Sequence, residues 1–165
     1  MLNVHRSTSR DAMTLTRSSM PRRKKAGVVL VHNNKILLVR QKYRDKEGKW
    51  GFPKGSLMRG ESEKRCAFRE LHEETGIELE KYRPKLIGRL SKNNTKHLYY
   101  EGVFYVYQLR EPLRETNINI PENHPEIQAV KWVTLKQAKR LKGNWTLRPI
   151  LKCIETTSLF AHPKQ

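Results

Sequence analysis

The sequence contains little cysteine, few acidic residues and no long apolar run, and each shortage argues against a class of protein. Only two of the 165 residues are cysteines, and Cys66 and Cys153 lie far apart, so no disulfide scaffold is indicated and a reducing setting is expected. No apolar run reaches the length of a membrane span or a signal-peptide core, so we expect a soluble intracellular protein. Sixteen Asp and Glu stand against 34 Lys and Arg, and the formal charge of +18 indicates a polyanionic partner.

The composition divides the chain into an arm, a domain and a tail. Residues 1–22 are rich in Ser, Thr and Arg and show little apolar periodicity, which predicts a flexible basic arm. A transit peptide is the alternative interpretation of this arm. The cytoplasm is the expected location, and the basic arm leaves the nucleus or an organelle open. Residues 23–158 carry the apolar patterns of one domain, and 159–165 form a short tail. Basic clusters at 22–25 and 136–142 are expected to meet the polyanion.

The apolar patterns of the domain predict an α+β fold. A hairpin is expected where two aliphatic runs flank "HNNK", because an Asn pair suits a tight turn. Gly76 is placed to end a helix in the left-handed conformation. The predicted elements are strands over 26–31 and 35–41, a short strand "WGF" ended by Pro53, a helix over 62–75, strands at "KLIGRLS", "HLYYEGVFYVYQL" and "EIQAVKWV", a helix from Thr134 to about Lys142, and a last helix starting near Pro149.

The predicted helix over 62–75 gathers acidic residues in an otherwise basic chain. The spacing i, i+3, i+4 places Glu70, Glu73 and Glu74 on one face. Crowded like charges cost stability unless cations neutralise them, and a solvated face with ion pairs is the alternative. Oxygen donors at this density suit Mg²⁺ or Mn²⁺, and no Cys/His cluster indicates zinc. The sequence therefore predicts a divalent metal site on this helix.

The stretch "GSLMRGESEKRCAFRELHEETGI", from Gly55 to Ile77, resembles the Nudix box at every defining position. The resemblance implies a Nudix fold, an α/β/α sandwich with a mixed central sheet. It also implies hydrolysis of a diphosphate linked to another group. In similar proteins the residues matching Glu70, Glu73 and Glu74 bind the metal or deprotonate water, and the one matching Glu61 lies at the edge of the site. Arg69 is expected to hold Glu73 at i+4, and Gly55 to let the loop approach phosphate.

The residues outside the box narrow the range of expected substrates. "GFPKG" resembles the messenger-RNA decapping branch of the family, in which the residue matching Lys54 meets phosphate, although that branch usually has a second lysine where this chain has Ser56. A similar motif occurs among dinucleoside polyphosphate hydrolases. Glu126 matches a glutamate that joins the metal site of decapping enzymes. Trp50 borders the phosphate loop and is the better candidate for stacking on a base, with a core position as the alternative.

Three functions follow from these resemblances. The preferred hypothesis is metal-dependent decapping of RNA, which releases methylated GDP and leaves a 5′-monophosphate. "TKHLYY" and "EIQAVKW" also resemble Nudix proteins of large DNA viruses that act on caps and on diphosphoinositol phosphates. Hydrolysis of diphosphoinositol polyphosphates or of dinucleoside polyphosphates is therefore the alternative. A catalytically silent RNA-binding module is the third reading, and the complete box argues against it.

Overall fold

A mixed β-sheet forms the centre of the protein. The computed structural model describes residues 23–43, 46–95, 102–111, 113, 118–120 and 124–157. The sheet runs in the order β3-β2-β1-β6-β5, with β4 also paired to β1 and β7 to β2, and β6 is parallel to β1. The elements are β1 (Lys25–His32), β2 (Lys35–Tyr43), β3 (Lys46–Gly51), β4 (Lys54–Ser56), α1 (Glu63–Thr75), a 3₁₀ helix (Leu79–Tyr82), β5 (Lys85–Ser91), β6 (Gly102–Gln108), β7 (Ile127–Thr134), α2 (Leu135–Arg140) and α3 (Leu147–Thr156).

Helices cover both faces of the sheet, because the strands β1 and β2 alternate apolar side chains between two cores. Val28 and Leu30 face the core under α1, which contributes Leu71, whereas Val29 and Val31 face the core under α2 and α3. A strand that is apolar on both faces is expected to be covered on both sides. The arrangement confirms the predicted α/β/α sandwich.

The β1–β2 hairpin is confirmed, and the next connection is more regular than predicted. Asn33 and Asn34 both have positive φ, 45° and 58°, as a tight hairpin turn with a left-handed pair requires. The predicted strands over 35–41 and at "WGF" leave the polar stretch "KYRDKEGK" between them as a connection. Instead β2 continues to Tyr43 and β3 begins at Lys46. A backbone ladder needs no apolar side chains, so polar residues can extend it out from the core.

The box helix α1 begins and ends where the sequence predicts. The Ser62 side chain caps the helix by accepting a hydrogen bond from the Arg65 N–H, and Gly76 ends it with φ 75°. Cys66 and Leu71 are fully buried on the inner face, so Cys66 is a packing residue. These local signals set the position of every carboxylate on the outer face.

The other two α-helices, α2 and α3, lie on the opposite side of the sheet from α1. Thr134 forms a capping box with Gln137, and α2 ends at Arg140, two residues before the predicted end. Phe104 and Tyr107 are core residues, whereas Tyr99, Tyr100, the arm 1–22 and the tail 159–165 lie outside the described residues. Within the described part of the chain, no helix has the length and apolar character needed to cross a membrane.

Candidate active site

A cleft of about 1290 Å³ lies between the outer face of α1, the ends of β2, β3 and β4, and the loops before β7 and α3. Three carboxylates of α1, Glu70, Glu73 and Glu74, lie along it together with Glu126. Lys54 and Gly55 of the "GFPKG" motif line it as well. The structure therefore brings most of the sequence-predicted site residues to one place.

Arg69 ties three carboxylates together. Its Nη1 donates to Glu70 Oε1 at 2.8 Å and to Glu73 Oε2 at 3.1 Å, which matches the predicted i,i+4 contact. Its Nε and Nη2 donate to the two oxygens of Glu61 at 2.8 and 3.0 Å. The fork holds Glu61 so firmly as an anion that the pKa of this carboxyl falls to about 2. Glu61 does not line the cleft and acts here as the anchor of Arg69.

Glu74 is the buried member of the carboxylate face. Its exposed fraction is 3%, and burial raises its pKa to about 8, against the opposing effect of the nearby Lys54 ammonium. Oε1 accepts a hydrogen bond from Gln41 Nε2 at 3.0 Å, while Oε2 is buried and accepts no hydrogen bond. An unpaired buried carboxylate oxygen is costly, so this atom is ready to bind a cation or a proton.

A polar network around Gln41 connects Glu74 to the phosphate loop. Gln41 Oε1 accepts hydrogen bonds from Lys54 Nζ at 2.9 Å and from Asn144 Nδ2 at 3.2 Å. These two donors fix the amide so that its NH₂ group faces Glu74. Burial lowers the pKa of Lys54, whose ammonium lies 5.3 Å from the ring centre of Trp145. Sequence reasoning missed Gln41, Asn144 and Trp145, because no local pattern connects positions so far apart.

Gly55 allows the phosphate loop to lie against α1. A Cβ atom at this position would overlap the carboxylate of Glu70. The glycine thus allows a close approach to a site residue, and the approach of this loop to phosphate stays a prediction. Gly60 has φ 76°, and a Cβ atom there would have no heavy atom within 4 Å, so a turn alone explains it.

Lys25 supplies a second ammonium group next to Lys54. The β1–β4 ladder sets Lys25 opposite Ser56, and Lys25 Nζ donates to Ser56 Oγ at 2.9 Å. Both residues line the cleft. The neighbouring strand thus places a positive charge beside Ser56, the residue that follows "GFPKG". The sequence alone assigns Lys25 to the basic cluster at 22–25, and the strand register adds that this lysine lies at the cleft.

The loop before β7 brings Glu126 to the cleft. The Glu126 carbonyl accepts a hydrogen bond from the Lys42 N–H at 2.7 Å, which attaches the loop to β2. His124 Nδ1 accepts hydrogen bonds from the N–H groups of Glu126 and Ile127 at 3.1 and 2.9 Å. The Glu126 side chain is exposed, and its charge helps to raise the pKa of Glu70, for which burial is the main cause.

Trp50 takes a different place from the one expected. It is 9% exposed, belongs to the core under α2 and α3, and does not line the cleft. Lys131 Nζ lies 4.4 Å from its ring centre. Trp145, which is 44% exposed, lines the cleft in its stead.

The chemistry of the donors suits a hard divalent cation, although the carboxylates do not converge as placed. Among the described residues, no three His, Cys, Asp or Glu side chains are grouped to hold a metal ion. Glu70 and Glu73 turn towards Arg69 instead. The buried free oxygen of Glu74, beside two further carboxylates on the same helix face, fits an oxygen-coordinated cation.

Comparison with known proteins agrees with this geometry. The NUDIX domain model matches residues 21–153. An RNA pyrophosphohydrolase of Campylobacter jejuni (strain 81-176) is 34% identical over 116 residues, which cover 67% of this chain and 74% of that protein. Another, from Dinoroseobacter shibae, is 29% identical over 70% of this chain and 79% of its own length. A C. elegans Ap4A hydrolase has a similar fold, with a TM-score of 0.62 and 23% identity over 84% of this chain and 100% of that one. The chain belongs to the Nudix family and is a Nudix pyrophosphohydrolase.

Proposed function

We propose that this protein hydrolyses a phosphoanhydride bond at the 5′ end of RNA, with the messenger-RNA cap as its preferred end. The observation that carries the proposal is the cleft itself. Its volume of about 1290 Å³ exceeds the roughly 300–1,000 Å³ of pockets for small ligands, and both acidic and basic side chains line it. A polyphosphate bridge with a nucleoside on each side suits such a space.

The acidic wall provides for the chemistry at phosphorus. Nudix hydrolases generally use divalent metal ions, and Glu70, Glu73 and Glu74 would hold Mg²⁺ or Mn²⁺, which neutralises phosphate charge and activates water. Arg69 keeps Glu70 and Glu73 in place between turnovers. Glu126 faces the same cleft from the opposite loop, where it is placed to accept a proton or join the metal site.

The basic groups at the back of the cleft provide for the phosphates that are not at the metal. Lys54 is fixed by Gln41, and Lys25 is fixed by Ser56, so both ammonium groups are held before the substrate arrives. Preorganised donors lose little entropy on binding an anion. A bridge of three phosphates has more oxygens than a metal ion held by the carboxylates can bind. The two lysines suit the remaining phosphate oxygens.

Trp145 suits a nucleobase at the edge of the cleft. A stacking contact between a base and an aromatic side chain contributes about 1–3 kcal/mol and tolerates different bases. Because the Lys54 ammonium lies near the ring, a base stacked on Trp145 would lie beside the phosphates. The relatives named RNA pyrophosphohydrolases, which are 34% identical, support RNA over a small nucleotide as the substrate.

The test is a substrate panel with Mg²⁺ and Mn²⁺ in parallel. It contains capped RNA, 5′-triphosphate RNA, free cap dinucleotide, a dinucleoside tetraphosphate and a diphosphoinositol phosphate. We expect methylated GDP from capped RNA at a kcat/KM at least about tenfold above that of the free cap dinucleotide, because most RNA contacts lie beyond the cleaved bond. Trp145→Ala should raise KM for RNA, and Trp145→Phe should keep most of the affinity.

Two outcomes contradict the proposal in different ways. Release of pyrophosphate from 5′-triphosphate RNA with no action on caps would keep RNA as the substrate and reject decapping. Equal cleavage of a small diphosphate and long RNA, without competition from uncapped RNA, would reject RNA and favour the small-molecule alternatives.

A further inference from the structure

Three lysines outside the catalytic box extend along one wall of the cleft. Lys42, Lys46 and Lys49 belong to the β2–β3 hairpin, are exposed, and line the same cleft as the α1 carboxylates. Within the described ranges of the chain, none of these three ammonium groups forms an ion pair with a carboxylate. We call these three residues the hairpin lysines.

Three of the other basic groups expected from the sequence to meet the polyanion are paired with carboxylates. Lys24 is paired with Glu63, and Lys139 with Glu155. Lys142 lies 3.4 Å from Glu47. A lysine that already has a carboxylate partner gains less from a phosphate, since it must give up that partner. The hairpin lysines therefore add three exposed charges, without a carboxylate partner among the described residues, to the ammonium groups of Lys25 and Lys54 at the active site.

The strand register sets the hairpin lysines in a line that starts at the active site. Gln41, which donates to Glu74, lies opposite Lys49 on the neighbouring strand. Tyr43 lies opposite Lys46, two residues further from the carboxylates. Residues two apart on a strand point to the same face and are about 6.6 Å apart along it. The ladder is irregular between Gln41 and Tyr43, so strict alternation does not hold there, and the hairpin lysines all line the cleft beyond Glu74.

An exposed aromatic side chain accompanies these cations. Tyr43 is 65% exposed and lines the cleft with its cross-strand neighbour Lys46. Lysines that follow a backbone, combined with an aromatic platform for bases, are the common device of proteins that bind single-stranded nucleic acid. We propose that the β2–β3 hairpin binds the single-stranded RNA body on the 3′ side of the cleaved bond, with Lys42, Lys46 and Lys49 on its phosphates and Tyr43 under a base.

This inference rests on the proposed function for its substrate, but binding can be measured without catalysis. The probe is a 5′-monophosphorylated, unstructured RNA of about 20 nucleotides, longer than the roughly 4–16 nucleotides of a typical single-strand site. Fluorescence anisotropy gives its affinity for the full chain at several salt concentrations. The test variant is Lys42→Gln/Lys46→Gln/Lys49→Gln. The matched control, Lys35→Gln/Lys85→Gln/Lys152→Gln, removes the same charge from exposed positions outside the cleft and outside both basic clusters.

The hairpin variant should bind the probe at least about thirtyfold more weakly at low salt, and its log–log salt slope should be smaller by about 2. That slope follows from three lost phosphate contacts at about 0.7 each on a single strand. The control variant should change the affinity less than about threefold. Tyr43→Leu should weaken binding about tenfold without changing the slope, and Tyr43→Phe should restore it, because stacking releases no counterions.

Cleavage separates this inference from the proposed function. The hairpin variant should lower the ratio of kcat/KM for long RNA to that for the free cap dinucleotide, whereas the control variant should leave the ratio as in the wild type. If the wild type cleaves RNA ends but both triple variants bind the probe equally well, the RNA path lies elsewhere and the inference is wrong. If heparin displaces the probe at the same charge concentration as RNA and Tyr43→Leu binds normally, the hairpin is a nonspecific basic surface. If the wild type does not bind the probe at all, the inference fails, whereas the proposed function is decided by the substrate panel.

Discussion

Replacing Glu74 with Gln should abolish activity and yet stabilise the metal-free protein. The carboxyl is 3% exposed, and its pKa rises from 4.5 to about 8 on folding. The folded chain therefore binds a proton that the unfolded chain releases between these two values. The free energy of unfolding therefore falls as the pH rises from 4.5 to about 8.

The size of the effect follows from the pKa shift. At pH 7 the pH is 2.5 units above the ordinary pKa of 4.5 that the carboxyl has in the unfolded chain. Protonating the carboxyl on folding therefore costs roughly 3 kcal/mol. Glutamine removes this cost, and Lys54 loses an opposite charge beside it only where Glu74 is ionised, near and above pH 8. We expect a net gain of roughly 1–3 kcal/mol at pH 7 to 8 and less than about 1 kcal/mol at pH 5. For a chain of this size, each kcal/mol raises Tm by about 2–4 °C.

Thermal unfolding in EDTA from pH 5 to pH 8, together with activity in Mg²⁺, tests this reasoning. Glu73→Gln is the control, because the Glu73 side chain is 51% exposed and its pair with Arg69 is a surface one. It should lose activity as Glu74→Gln does, while its stability changes by no more than about 0.5 kcal/mol. A Glu74→Gln protein that is less stable than wild type at pH 8, or whose stability difference does not vary with pH, would refute the argument.

Four further outcomes are expected. EDTA should silence the wild type, and Mg²⁺ or Mn²⁺ should restore it; activity that survives chelation would reject the metal site. Glu126→Gln should lower kcat at least about tenfold with KM nearly unchanged, whereas a change in KM alone would make Glu126 a substrate-binding residue. Gly55→Ala should displace the Glu70 carboxylate and lower kcat at least about tenfold with a normal far-UV spectrum, since the overlap is with a side chain; full activity would show that Glu70 can work from another position. Lys25→Ser should weaken substrate binding, and Lys25→Ser/Ser56→Lys should restore it, because the two residues are direct neighbours in the ladder; no recovery would mean that the place of the ammonium matters beyond its presence.

The part of the site that the sequence predicts is the part made by local structure. The carboxylate face of α1 needs only the helical period, a cap at Ser62 and a stop at Gly76, and all of these act within a few residues. The fold was predictable for the same reason, since alternating apolar strands and capped helices imply a sheet covered on both faces. The ends of the strands were less predictable, because polar residues extend β2 and β3 through backbone hydrogen bonds alone.

The part that the sequence does not predict depends on contacts between distant positions. Gln41 meets Asn144 across 103 positions of the chain, and Trp145 reaches the cleft because its loop packs beside β3. Lys25 enters the site through a strand register that no motif encodes. Trp50 shows the opposite case, because proximity to the phosphate loop in sequence says nothing about which face of β3 its side chain takes.

The contacts of Arg69 have a consequence for how the protein tolerates scarcity of its metal. One guanidinium touches Glu61, Glu70 and Glu73, so part of the negative charge is balanced from within the chain. Entry of a divalent ion then exchanges one counter-charge for another and does not build a site from repelling groups. The stability of the folded state therefore depends little on the concentration of the ion. Metal limitation should stop catalysis without exposing the chain to unfolding and degradation.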